Sequence, residues 1–229
     1  MNVDVSAKPD LTFYLPEEIQ MSQEFLKKGY LIKKVACLES LSKIQDIVVE
    51  MAGSILSISK SGPSKQFLNT VHKVLEINQL NDLRVSIINH LLQQDWFRPT
   101  YYRLAKDALD TIVGNELVMQ RSIGLSIQLP NDSSSLLNIH SDTWSGDSPF
   151  EAVVWLPLID CYKTKSMFIA SPKRAKEINE NFINYSQLTN HQFYKEIEND
   201  IEYIEIPFGY YLLFNQNLPH GNVVNKESE

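Results

Sequence analysis

The chain has 229 residues, 43% of them hydrophobic and 21% charged, an ordinary globular profile with length enough for one large domain and a substantial core. A formal charge of −7 and a pI near 5.3 argue against a nucleic-acid or anionic-membrane surface, because like charges repel. "MNVDVSAKPD" is not the start of a secretory leader, and no apolar run approaches the roughly 20 residues of a membrane span. With Cys37 and Cys161 far apart and read as buried free thiols, the expected setting is cytoplasmic, without membrane insertion.

In chain order, "PEEIQMSQEFLKK" opens with Pro16 and two acids, which suit the positive end of a helix, and Gly29 ends it. "YLIKKV" follows as a short strand. Apolar residues at 38, 41, 44, 47, 48, 51, 55 and 58 keep helical spacing, so a helix with one buried face is expected over Leu38–Ile58. Asn81 is the expected N-cap of "DLRVSIINHLLQQ", and Pro99 starts a helix through about Ile112. His72 and His90 fall within these helical patterns as ordinary helix residues.

After Gly114 the period changes from helical to alternating. Leu117, Met119, Ile123, Leu125, Ile127 and Leu129 predict a half-buried strand. Five further strands are expected at 150–160, 165–170, 201–206, 210–215 and 219–224. A polar helical insertion, about 171–200, lies between the third and fourth of the six and carries a solvated His191. Residues 1–229 thus read as a single α+β domain: a mainly helical flank, about 1–114, and a sandwich or barrel core, about 115–225.

In "NIHSDTWSGDSPFEAVVWLPL", His140 and Asp142 stand two apart at the mouth of a strand, where residues i and i+2 point to one side. His220 in "NLPHGNVV" opens the last strand. Two imidazoles and one carboxylate on one face leave three positions open, the ligand set of non-haem Fe(II) oxygenases. The tripeptide HxD alone is weak; the strand context and the distal His carry the reading. The rival for this pair is a strand-edge His held by a neighbouring carboxylate.

"IHSDTWSGDSPFEAVVWLPL", "KTKSMFIASP" and "PFGYYLLFNQNLPHGNVVN" resemble the double-stranded β-helix (jelly-roll, cupin-like) core of Fe(II)- and 2-oxoglutarate-dependent oxygenases. "WSGDSPFEAVVWLPL" is more narrowly similar to the phytanoyl-CoA-dioxygenase-like branch found in bacterial carbohydrate-biosynthesis clusters. The resemblance covers residues 96–225, and "EFLKKGYLIKKV" is similar to the segment that starts such domains.

The resemblance implies that His140, Asp142 and His220 hold Fe(II) and form the catalytic centre. 2-Oxoglutarate is then the cosubstrate and O2 the oxidant, with succinate and CO2 released as a small carbohydrate-related substrate is hydroxylated. Relatives anchor the cosubstrate with an Arg on the last core strand. Here the sequence stops nine residues after His220, at "KESE", so that strand and Arg are expected to be missing. Lys165 is the expected substitute, by similarity to Jumonji-type oxygenases, with Gln128 and Thr143 also assigned to the cosubstrate. Trp144, Ser145, Asp147 and Arg121 are the substrate-contact candidates. Two alternatives remain, a cupin-like metal-dependent sugar isomerase or epimerase and a non-catalytic carbohydrate-binding domain. The substrate's identity and the oligomeric state are not legible.

Overall fold

A computed structural model describes residues 13–229; the expectation about "MNVDVSAKPD" lies outside the described residues. Helix α1 (Pro16–Lys28) forms as its sequence requires, with Pro16 at the first position, Glu17 and Glu18 in the first turn, and Lys27 and Lys28 in the last. Gly29 closes it at φ 78°, donating to the Phe25 carbonyl at 2.7 Å, and the chain passes straight into β1 (Tyr30–Lys34). Helix α2 (Leu38–Ile55) buries Leu41, Ile44, Val48, Val49 and Ala52. It stops short of the expected Ile58 because Ser57 turns left-handed (φ 56°) and Ile58 N–H folds back onto the Gly53 carbonyl. Cys37, expected to be buried, is exposed: its thiol caps α2, accepting from Ser40 N–H, while Cys161 is buried.

Helix α3 (Ser64–Thr70) and two short 3-10 turns lead to α4 (Leu80–Leu92). Asn81 is not the cap of α4. The preceding 3-10 turn, Ile77–Gln79, starts the helix one turn early, and the Gln79 side chain accepts from Glu76 N–H at 3.1 Å. The helix expected from Pro99 to Ile112 is two, α5 (Phe97–Leu104) and α6 (Lys106–Ile112), broken at Ala105. At the break, the Leu104 carbonyl is taken by Ala36 N–H, from the chain leaving β1, at 3.0 Å.

The strand expected over residues 117–129 does not form. Its burial alternates as read, and Ile123, Leu125 and Ile127 pack against the α2–α5 core. No ladder forms, however, because the Arg98 guanidinium takes the Met119 and Arg121 carbonyls at 2.8 and 2.9 Å. The other strands exist but are mostly shorter than expected: β2 (Ala152–Trp155), β3 (Phe168–Ala170), β4 (Ile201–Tyr203), β5 (Tyr210–Asn215) and β6 (His220–Gly221). The insertion is helical as expected: α7 (Pro172–Glu180), α8 (Phe182–Tyr185) and α9 (Asn190–Ile197).

These strands make two small antiparallel sheets, ordered β1–β5–β2 and β4–β3–β6, consistent with the α+β class. A single two-stranded ribbon passes from one sheet to the other. Trp155 faces Leu212 and Cys161 faces Ile206 in one unbroken register. Phe168 then faces Tyr203, four residues from the Asn199 that the same register would give, the slack being taken up by the 3-10 turn Lys163–Lys165. Strand β5 reads apolar throughout because both its faces are covered. Tyr211 and Leu213 pack with Ala105 and Ala108 beneath the helices, whereas Leu212 and Phe214 pack with Ile169 and Ile204 between the sheets. Among the described residues no helix is long and apolar enough to cross a membrane.

Residues 137–141 lie along the free side of β6, and Gly221 permits that approach. A methyl on Gly221 would sit 2.8 Å from the Leu137 carbonyl oxygen and 3.1 Å from the Phe168 ring. Gly221→Ala is therefore expected to destabilise the fold by about 1–3 kcal/mol, the usual cost of overpacking. Urea denaturation checks this; an unchanged midpoint would mean that the contact is slack.

Candidate metal centre

His140 and His220 are directly opposed across an antiparallel bridge. His140 N–H donates to the His220 carbonyl at 3.0 Å, and His220 N–H returns a bond to His140 at 2.8 Å. Opposed residues of a pleated pair project to the same face, and the imidazole centroids lie 4.3 Å apart. Asn222 locks the register: its N–H donates to the Leu137 carbonyl at 3.0 Å, and its side-chain oxygen accepts from Leu137 N–H at 2.7 Å. On the other side, β6 is held by β3, with Ile169 opposite His220.

Asp142 starts a 3-10 turn, Asp142–Ser145, that ends at Gly146 in the left-handed region (φ 99°). Its Oδ1 lies 3.6 Å from His140 Nε2, too far for a hydrogen bond, so both atoms keep free lone pairs. One ligand atom from each of His140, Asp142 and His220 lies within 4.8 Å of the others. Bonds of about 2.1 Å to a divalent ion set neighbouring ligand atoms about 3 Å apart, a closure within the reach of side-chain rotation. Among the described residues no other group of three such side chains gathers.

The tautomers suit a metal. His140 Nδ1 lies 2.7 Å from the Asn138 carbonyl, and His220 Nδ1 lies 2.9 Å from the Leu218 carbonyl. A carbonyl can only accept, so each Nδ1 carries the proton and each Nε2 presents its lone pair. His220 is 7% exposed, its ring edge-on to Phe214 at 5.0 Å. Burial, and secondarily the neighbouring His140, hold its pKa below the ordinary imidazole value, which favours the neutral, ligating form.

Ser141 was not singled out by sequence, yet it fixes the centre. It is fully buried and points away from the ligands on either side, its hydroxyl donating to the Gln216 carbonyl at 2.8 Å. Thr143 Oγ1 lies 2.8 Å from the same hydroxyl, and the Gln216 amide donates to the Ser148 carbonyl. The ligand loop is thereby sewn to the turn that delivers His220. Alternation held the clue: a side chain between two same-facing ligands must face the interior.

The remaining candidates are dispersed. Trp144 is turned into the insertion, its indole N–H donating to Asn179 Oδ1 at 2.9 Å and its ring stacked 6.0 Å from Phe193. Asn179 lines an open cleft of about 530 Å³ between α7 and residues 215–218. Ser145, Asp147 and Arg121 are exposed; Asp147 N–H donates to the Asp142 carbonyl at 3.4 Å, but none of the three side chains forms a hydrogen bond with the triad. Lys165 does not stand on a core strand; it closes the turn before β3, its ammonium 2.9 Å from Glu229 and 3.3 Å from Asn69 Oδ1. Gln128 comes beside it, donating to the carbonyls of Val223 and Thr164. Two of the three expected cosubstrate residues, Lys165 and Gln128, thus share one neighbourhood against residues 223–229, three to nine positions beyond His220, with Thr143 left apart at the ligand loop. No family model and no curated protein matches the chain.

Alanine at His140, Asp142 or His220 is expected to weaken divalent-metal binding at least about tenfold, while Ser141→Val, which touches no metal, should cost about 10–100-fold through misplacement of the ligands. Titration calorimetry with Fe(II) under anaerobic conditions measures both; undiminished affinity in His220→Ala would remove the distal ligand.

A pH dependence follows from His220. Its folded pKa lies below the unfolded value of about 6.5, so its contribution to stability is present above that pH and is lost as pH falls from there toward the folded pKa. Metal-free protein should lose stability between pH 7.5 and 5.5, and His220→Gln should lose less. Equal losses, in urea titrations at the two pH values, would exclude His220 as the source.

Proposed function

We propose that the protein is a non-haem Fe(II)- and 2-oxoglutarate-dependent oxygenase that hydroxylates a small carbohydrate-related substrate. The observation that carries this is the convergence of two Nε2 lone pairs and one carboxylate at the mouths of adjacent strands, each imidazole fixed through Nδ1 by a backbone carbonyl. Three protein ligands on one face leave room for a chelating cosubstrate and for O2, which a closed structural site does not.

The strand arrangement supports the double-stranded β-helix reading. The ribbon β2–β3 against β4–β5 winds from sheet to sheet, and the His140 segment, β6, β3 and β4 lie side by side in that order.

Bound iron with 2-oxoglutarate would supply an oxidant able to take hydrogen from a C–H bond. The chain's own part is positional. His220, buried against Phe214, would hold a metal from the interior side, while His140 and Asp142, which are more exposed, would complete the ligand set. Ser141 keeps that loop registered on residues 216–220.

Anaerobic protein loaded with Fe(II) and 2-oxoglutarate, then exposed to O2, is expected to release succinate, and Asp142→Ala should release at least about tenfold less. Iron binding without succinate would instead favour a metal-dependent isomerase, and absence of iron binding a carbohydrate-binding domain.

A further inference from the structure

The residues before β3 and those after β6 build a second site. The Lys165 side chain is only 4% exposed, its ammonium 5.2 Å over the Tyr162 ring and bonded to Asn69. Its charge is met by the Glu229 carboxylate at 2.9 Å. The Tyr162 hydroxyl donates to the same oxygen, Oε1, at 3.0 Å. Lys65 lies close by on α3, paired with Asp160, which also accepts Phe208 N–H.

Residues 225–229 are laid across this turn like a strap. The Thr164 hydroxyl donates to Glu227 Oε1 at 3.0 Å and accepts from Lys226 N–H at 2.9 Å, and Asn225 reaches the Gln128 carbonyl at 3.4 Å.

The two halves of the ion pair are unequal. Lys165 is enclosed, whereas the Glu229 side chain is 34% exposed and both its contacts fall on one oxygen. Stripping Lys165 of any partner would leave a buried charge unpaired, which is costly. Glu229 can return to water at little cost. Replacement by another carboxylate is then the least costly way to open the pair, since the receptor half stays organised.

We propose that Lys165 and Tyr162 form a carboxylate-binding site whose resident ligand is the Glu229 side chain, exchangeable for a soluble dicarboxylate. That the incoming group is the far carboxylate of 2-oxoglutarate rests on the proposed function; the exchange itself does not. Gln128 ties this site to the strand of the distal ligand by donating to the Val223 carbonyl, three residues past His220. The strap would thus regulate access to the site by competition.

The test uses the full chain without metal and glutarate as probe, which lacks the keto group and so needs no iron. Glu229→Gln should bind glutarate at least tenfold more tightly than the parent by titration calorimetry. Adding Lys165→Met to Glu229→Gln should abolish that binding. Should that double variant fail to fold by circular dichroism, Tyr162→Phe in the Glu229→Gln background, which removes one hydroxyl, should weaken it several-fold. Equal affinity in parent and Glu229→Gln, no detectable binding in either, or binding indifferent to both Lys165 and Tyr162 would overturn the proposal. Failure of succinate release leaves the glutarate result standing, and succinate release without glutarate exchange removes only this inference.

Discussion

Two backbone hydrogen bonds between His140 and His220, at 3.0 and 2.8 Å, are the constraint on which the candidate site depends. They join residues 80 positions apart and fix both imidazoles on one face before any ion is considered. Everything nearby serves that pairing. Gly221 lets the two backbones approach, Asn222 holds the register, β3 backs β6 from behind, and Ser141 pins the loop that brings Asp142 round. The ligand geometry therefore follows from main-chain pairing, with side-chain rotation left to perform only the last adjustment.

Much of this was legible in the sequence because it lives in local pattern. Alternation placed His140 and Asp142 on one side, end signals at Pro16 and Gly29 gave α1, helical spacing gave α2, and the run 210–215 was a strand to the residue. What failed did so for non-local reasons. Residues 117–129 alternate like a strand, yet Arg98 from α5 takes the carbonyls a partner strand would need. Leu104 loses its place in a continuous helix because Ala36 uses its carbonyl. Periodicity reports which face is buried; it carries no information about who supplies the hydrogen bonds.

The expected site residues divide along the same line. The gathering of His140, Asp142 and His220 was legible because residue type and expected strand position encode it. Lys165 was singled out by a family resemblance and an expected core-strand position, but its turn depends on the register slip in the ribbon, and its partner Glu229 is 64 residues distant. Trp144 sits beside the candidate metal ligands in sequence, and its ring nevertheless belongs to the packing of α7–α9, with Phe182 and Phe193. A short polar loop can contribute one side chain to a metal and the next but one to a different core.

The ribbon has a consequence for how the chain acquires its shape. Tyr30 in β1 pairs with Phe214 in β5, so the first strand waits for nearly the whole sequence before its ladder can close. Helices α1 to α6 pack largely against one another within the first half of the chain and can condense early, whereas the central strand of the first sheet arrives late from the ribosome. Pairings of such sequence separation are slow, and an unpaired edge invites association with other chains in the interval. His220 follows β5 by only a few residues. An ion taken up by the triad would thereby enter among the last events of folding, and a metal-sensitive signal would time the closing of the sheet.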